Sequence, residues 1–263
     1  MKRFAAHLLD ILVRMRTGVR VDVGIIGGTG IGERLLAYGG DPLHVPTPAG
    51  ILRGRLVEID GVFLFLVSRH SAGHKVPPHK VNYKAMAFGM KALGAKGCLS
   101  TAAVGSLRRE WGPGTLIACS DFLDFTGRAL TLFDQTVVHR DFTNPFGVST
   151  RRALLESASE VRDSVEDGGV YLCGNGPRYE TPREIELYRS MGVDVVGMTA
   201  ATEAILMREA EIDYACLAIV TNLAAGISPT PLDHQEVVDE MLRSGERAVR
   251  ILIGAARKIA EGG

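Results

Sequence analysis

Val170-Tyr171-Leu172-Cys173-Gly174-Asn175-Gly176-Pro177-Arg178-Tyr179-Glu180-Thr181-Pro182 decides how this chain folds. Its first four residues are apolar and strand-like. Gly174, Gly176 and Pro177 break the strand. Thr181 then reads as a helix N-cap, Pro182 as the first helical residue, and Glu184 completes a capping box. A strand that turns through glycine into a helix is the unit of α/β proteins, whose ligands bind beyond strand ends. Tyr179 and Glu180 sit at that mouth. A carboxylate beside an aromatic face suits a planar heterocycle carrying an N–H. The plainer reading is a helix entry with an exposed glutamate.

The same pattern recurs on both sides of this stretch. Val21 to Ile26 reads as a buried first strand running into Gly27-Gly28-Thr29-Gly30-Ile31-Gly32. Such a turn aims backbone N–H groups at an anion, and Thr29 adds a hydroxyl. The dinucleotide fingerprint fails, because Glu33 stands where its third glycine belongs, and no Walker Gly-Lys-Ser/Thr is present. A phosphate loop of another kind, or a plain tight turn, is left. Residues 51–59 and 62–68 read as strands joined at Asp60-Gly61. The second is almost wholly apolar and ends in Ser68-Arg69-His70, where an arginine and a histidine call for an oxyanion. His74 and His79 follow, but Gly73, Pro77 and Pro78 argue against the helix that a His70–His74 metal pair would need.

Asn82 to Leu93 has helical periodicity and stops at Gly94. Residues 97–100 form a strand ending in the small residues Thr101 to Ser106, suited to close backbone approach. Thr115 to Ser120 is another strand, 126–148 a long irregular segment, and 149–166 a helix. Asp194 to Thr199 is a short strand, followed by a helix through Glu211. Tyr214 to Val220 is the last core strand and ends at Thr221-Asn222. Asp233 caps a helix running to about Glu261, with Glu236 completing a second capping box.

The 263 residues suffice for one large domain or two small ones, and neither a repeat nor a linker divides them. Lys+Arg and Asp+Glu both total 30, so nucleic acid is not favoured as a partner. Cys98, Cys119, Cys173 and Cys216 lie far apart with no CxxC pair. They read as reduced, buried thiols of a cytoplasmic protein, with no metal and no disulfide framework. No apolar run reaches membrane-spanning length. Residues 2–16 read as an amphipathic surface helix, not a signal peptide.

Thr29, Arg69, His70, Ala102, Glu180, Met198, Thr199, Asn222 and His234 nearly all follow apolar strands, so they converge on one pocket. Thr29, Arg69, His70 and Thr199 supply hydroxyl and cationic donors, fit for phosphate. Glu180 and Asn222 form a carboxylate–amide pair, fit for an N–H beside a ring acceptor.

Gly27-Gly28-Thr29-Gly30, Arg69-His70, Lys80-Val81-Asn82-Tyr83, Gly176-Pro177-Arg178 and Gly197-Met198-Thr199 with Glu203 resemble the trimeric purine nucleoside phosphorylase and methylthioadenosine phosphorylase family, from about residue 23 to 256. The resemblance implies an α/β domain over residues 21–263, with a central mixed, partly barrel-like sheet flanked by helices. Residues 1–20 would be a helical extension outside it. It implies phosphorolysis: a purine nucleoside and phosphate give free purine and ribose 1-phosphate, with inorganic phosphate as co-substrate and no cofactor. Phosphate would lie on Thr29, Arg69, His70, Ala102 and Thr199. The nucleoside would lie on Ala103, Tyr179, Glu180, Met198, Asn222 and His234. Asn222, Glu180 and His70 would carry catalysis. The family is trimeric, so a homotrimer or a dimer of trimers is implied, with His139 capping the neighbouring subunit's site.

Methylthioadenosine enzymes of the family carry Ser-Ser after the aromatic of the Gly-Pro motif and Asp after the last strand's Thr. Glu180-Thr181 and Asn222 depart from both and resemble the 6-oxopurine enzymes. The chemistry agrees: N1–H of a 6-oxopurine donates to a carboxylate, whereas N1 of adenine is an acceptor. Asp233-His234-Gln235-Glu236-Val237 resembles the stretch of inosine and guanosine enzymes whose histidine meets the 5′-hydroxyl. Inosine or guanosine is therefore the expected substrate, and S-methyl-5′-thioinosine or S-methyl-5′-thioadenosine the alternative. A dinucleotide oxidoreductase and a catalytically silent nucleoside-binding module are the rivals from other classes.

Overall fold

The computed structural model describes residues 18–71, 73, 75–228 and 231–262. The helix expected over residues 2–16, and His74, lie outside them. Among the described residues are eleven strands, all in one mixed sheet, and six α-helices.

Strand β1 (Val23–Gly27) lies between two parallel neighbours, β4 (Val62–Ser68) and β5 (Gly97–Ser106). Beyond β4, antiparallel β3 (Gly50–Ile59) and then β2 (Asp41–Thr47) complete that wing. The other wing is parallel β10 (Val195–Gly197), β9 (Val170–Gly174) and β7 (Asp121–Phe125). Long β11 (Asp213–Leu223) runs parallel along β5 and carries β6 (Leu116–Ala118) and β8 (Glu166–Asp167).

The sheet forks at β5. Pairing with β1 ends at Ser100, and antiparallel pairing with β10 begins only at Gly105. Thr101 to Val104 thus have no strand partner on that edge among the described residues. A crevice opens where the neighbouring strands diverge, at the C-terminal end of β1.

Alternation along the central strands gives each sheet face its own core. Ile26, Phe65, Val67, Tyr214, Cys216 and Ala218 point to one side. Helices α2 (Tyr83–Ala92) and α5 (Ala200–Glu209) cover it. Val23, Ile25, Leu64, Leu66, Ala215 and Leu217 point to the other. There α1 (Ile31–Leu36), α3 (Val148–Glu160) and α6 (His234–Glu261) cover them. Strands buried on both faces read as unbroken apolar runs, which is why β4 and β11 are plain in the sequence. Helix α4 (Pro182–Ser190) closes a smaller cluster through Ile185 and Tyr188 against Leu172 and Val196. All four cysteines are buried and free. No helix among the described residues is long and apolar enough to cross a membrane.

Several boundaries differ from expectation. β2 has no apolar run, and Pro42 and Pro46 remove two ladder donors, which an edge strand tolerates. β7 is a partly exposed strand carrying Asp121 and Asp124. β5 continues through Ser106 rather than ending at Ser100. α3 stops at Glu160, six residues early, because Arg162 takes a left-handed backbone with φ 56°. No Gly or Asn announces that stop. Asp233 does cap α6, accepting from Gln235 N–H at 3.0 Å, but without the reciprocal Glu236 bond.

Candidate active site

The glycine turn after β1 is tied down from two directions. Ile31 and Gly32 N–H both donate to the Gly28 carbonyl, at 3.1 and 3.0 Å, which starts α1. Gly28 N–H donates to Thr101 Oγ1 at 3.0 Å. Gly28 must be glycine here: a Cβ would stand 2.6 Å from Arg69 Nη1 and 2.8 Å from the Thr101 carbonyl. Arg69, at the end of β4, is therefore drawn in against the turn. Its Nε and Nη2 donate to the two Glu203 oxygens at 2.5 and 2.9 Å, and its Nη1 to the Thr101 carbonyl at 2.8 Å. Burial opposes the guanidinium charge, but the Glu203 carboxylate outweighs it and holds the pKa above the ordinary arginine value. Tyr214 Oη donates to Glu203 Oε2 at 2.8 Å and lies 2.6 Å from Ser100 Oγ.

His70 is buried, and its Nδ1 donates to the Val76 carbonyl at 2.7 Å, which fixes the tautomer. Thr199 is buried at the N-cap of α5, where its side chain makes no capping bond, and its N–H donates to Tyr171 Oη at 3.3 Å. Glu203 N–H donates to the Thr199 carbonyl at 3.2 Å, so Thr199 lies one turn from Arg69's partner. Ala102 and Ala103 lie on β5 at the fork, opposite Ala218 and Ile219 of β11. Thr29 and His70 share a cavity of about 290 Å³, roofed by Val238, Met241 and Leu242 of α6. Arg69, Ala102 and Thr199 do not line it, and neither do Glu180, Met198 and Asn222.

Glu180 and Met198 lie instead around the turn after β9, and Asn222 lies on β11 beside Gly105 of β5. Glu180 Oε1 lies 3.1 Å from where a Gly174 side chain would begin. Burial, with Glu184 adding, pushes the Glu180 carboxyl above its ordinary value of 4.5. Arg178 does not neutralise it, since both its Nη atoms bind Glu184, at 2.8 and 2.7 Å. Among the described residues Glu180 has no ion-pair partner. Gly176 has φ 66°, and a side chain there would meet Met198 Sδ at 2.5 Å, so Met198 lies tight against this turn. Asn222 follows a β-bulge: Val220 pairs with Val104, Asn222 with Gly105, and Thr221 is skipped. Such a bulge re-aims the next side chain. Asn222 Oδ1 accepts from Thr221 Oγ1 at 2.9 Å, and one Nδ2 hydrogen goes to the Leu223 carbonyl at 3.0 Å. Tyr179 Oη lies 3.3 Å from His234 Nδ1.

The two groups of residues meet along β5. Thr101, at Arg69 and Gly28, is four residues from Gly105, beside Asn222. That is about 13 Å of strand, enough for an oxyanion, a pentose and a bicyclic base in a row. His139 stands apart, exposed in the segment between β7 and α3. No group of three or more His, Cys, Asp or Glu side chains among the described residues could hold a metal ion.

Sequence reading missed several supporting residues. Glu203 was legible only as part of a motif, although a lone carboxylate among Ala200, Ala201, Thr202 and Ala204 signals a buried partner. Thr101 showed only as one of the small residues ending a strand, and Tyr214 carried no signal. Nor did Arg128, which donates to Asn175 Oδ1 at 3.0 Å, the Asn175 carbonyl at 2.8 Å and Thr202 Oγ1 at 2.9 Å.

The sequence pattern of the phosphorylase superfamily matches residues 22–257. A probable 6-oxopurine nucleoside phosphorylase of Dictyoglomus turgidum is 42% identical over 241 residues, 90% of this chain and 91% of that protein. A probable S-methyl-5′-thioinosine phosphorylase of Methanothermobacter thermautotrophicus is also 42% identical over 241 residues, covering 90% and 84%. Among solved structures, the methylthioadenosine phosphorylase of Schistosoma mansoni in complex with adenine superposes with a TM-score of 0.86 at 30% identity, covering 93% of each chain. The chain therefore belongs to the phosphorylase superfamily, as one of its purine nucleoside phosphorylases.

Proposed function

We propose that the protein cleaves 6-oxopurine nucleosides, inosine and guanosine, with inorganic phosphate. The C1′–N9 bond breaks and a bond from C1′ to a phosphate oxygen forms. The purine leaves with the electron pair and takes a proton, and ribose 1-phosphate remains. Phosphate lies on Thr29, Arg69, His70, Thr199 and the Ala102 backbone. Ala103 and Met198 flank the ribose, and Tyr179 lies against the base. Asn222 keeps one Nδ2 hydrogen for the ring atoms that gather charge, and Glu180 accepts N1–H. Neither a metal nor an organic cofactor enters this scheme. His139 would act on the site of a neighbouring subunit in a homotrimer.

The observation that carries this reading is the Glu180 carboxylate, half-buried and without a cationic partner, on the turn after β9. A group so placed gains a hydrogen bond from a base with N1–H and repels a base with a lone pair there. Release of free base should require phosphate and be faster from inosine and guanosine than from adenosine. Faster release from adenosine would refute the reading.

A second reading keeps the same base and changes the 5′ substituent. S-methyl-5′-thioinosine also carries N1–H, so Glu180 and Asn222 do not separate it from inosine. Val238, Met241 and Leu242 add apolar surface beside the glycine turn, which favours a thioether. His234, beside Tyr179, favours a hydroxyl. Parallel assays of the two nucleosides decide between them.

A further inference from the structure

Arg69 is the charged end of a buried chain of side chains whose other members have no role in the scheme above. We propose that Glu203, steadied by Tyr214, is a positioning residue that sets the Arg69 guanidinium for the phosphate co-substrate. The inference rests on Arg69 being a phosphate ligand.

The Arg69 and Glu203 side chains are each 1% exposed. A buried ion pair is a poor source of stability, since an apolar pair of similar volume often does as well. What it supplies is orientation. A guanidinium has five N–H groups in one plane. Two are spent on the Glu203 fork and one on the Thr101 carbonyl. Two remain, one on each terminal nitrogen, and three bonds to protein fix their plane.

The anchor is itself held. Glu203 Oε2 accepts from Tyr214 Oη at 2.8 Å as well as from Arg69, so the carboxylate cannot turn without breaking bonds at both ends. The Tyr214 ring is stacked on Phe146, 6.0 Å between centroids, and its hydroxyl lies 2.6 Å from Ser100 Oγ. Thr101 links the chain to the glycine turn: its carbonyl takes Arg69 Nη1 and its hydroxyl takes Gly28 N–H. Glu203 also lies in the first turn of α5, four residues after its N-cap Thr199. One helical turn therefore carries a proposed phosphate ligand and the anchor of another.

The test compares wild type with Arg69→Lys, Glu203→Gln and Tyr214→Phe. The readouts are KM for inorganic phosphate, KM for inosine, and the rise in Tm that inorganic phosphate alone produces. Glu203→Gln keeps the shape but removes the charge and one acceptor of the fork. We expect its phosphate KM to rise about tenfold or more, with inosine KM within about twofold, and the phosphate-induced rise in Tm to shrink. Tyr214→Phe should move the same two phosphate readouts in the same direction, by about threefold in KM. Equal rises in both KM values, or no change in phosphate KM while Arg69→Lys raises it, would overturn the inference and leave the phosphate reading of Arg69 standing. If Arg69→Lys itself leaves phosphate KM and the Tm response unchanged, that reading falls and the inference with it. Should Glu203→Gln fail to fold, Tyr214→Phe decides by the same criteria. Should inosine not be turned over, the Tm response decides.

Discussion

In the proposed scheme Glu180 and Asn222 divide the work at the base, and each makes its own prediction. Burial raises the Glu180 pKa above 4.5, so the folded state holds the proton more tightly than the unfolded chain does. Its contribution to stability therefore grows as pH falls through the raised pKa, and is unfavourable above it. Activity runs the opposite way, because only the carboxylate accepts N1–H. The acid limb of kcat/KM for inosine should lie above pH 4.5 and vanish in Glu180→Gln, whose residual activity should be flat there. An acid limb unchanged in Glu180→Gln would assign it elsewhere. Asn222→Ala should lower kcat/KM by about 10²–10³-fold, the cost of losing one donor to developing charge. Asn222→Asp should raise adenosine turnover relative to inosine, measured as a ratio of kcat/KM values. Both residues were legible in the sequence because each follows an apolar strand. The Arg69–Glu203 pair was not, since its partners are far apart in sequence and no local pattern joins them.

At the scale of elements, the site depends on segments that depart from regular pairing. The skipped Thr221 in β11 aims Asn222, and the fork in β5 opens the crevice. Neither was legible, because bulges and strand divergence follow from neighbouring strands rather than from the local residues. The helix after the Glu180 turn was legible, and its capping box is complete: Thr181 Oγ1 accepts from Glu184 N–H at 3.2 Å, and Glu184 Oε2 accepts from Thr181 N–H at 2.7 Å. Thr181→Ala should cost about 1 kcal/mol of stability in urea unfolding, through loss of the cap. Arg128 joins the segment after β7 to the β9 turn and to α5. Its guanidinium also lies over the Tyr83 ring, 5.2 Å from the centroid. Arg128→Met removes the donors but keeps much of the bulk. We expect it to raise KM for inosine several-fold, about 1 kcal/mol, and to spare KM for phosphate, because Asn175 belongs to the β9 turn, where the proposed scheme puts the base, and not to the glycine turn. A rise confined to phosphate KM would show that Arg128 supports the other half of the crevice.

For the molecule as a whole, the alternating cores and strand–glycine–helix junctions made the α/β class readable, whereas the assembly is a matter of surface. The 126–147 segment is anchored at both ends. Thr131 Oγ1 and Leu132 N–H bind the Glu209 carboxylate at 2.8 and 2.6 Å, and Phe146 is buried against Tyr214. Between these anchors it displays Val137, 70% exposed, next to exposed His139. A neighbouring copy covering Val137 would bring His139 to a second crevice. The trimer that the family resemblance implies predicts, by light scattering, a mass near a threefold or sixfold multiple of 28.3 kDa. Val137→Asp should lower that mass, and with it activity per chain at low concentration. His139→Ala should keep the mass and raise KM for inosine if, as proposed, His139 serves the neighbour's site. A monomer with full activity would confine catalysis to one chain and take His139 out of the site.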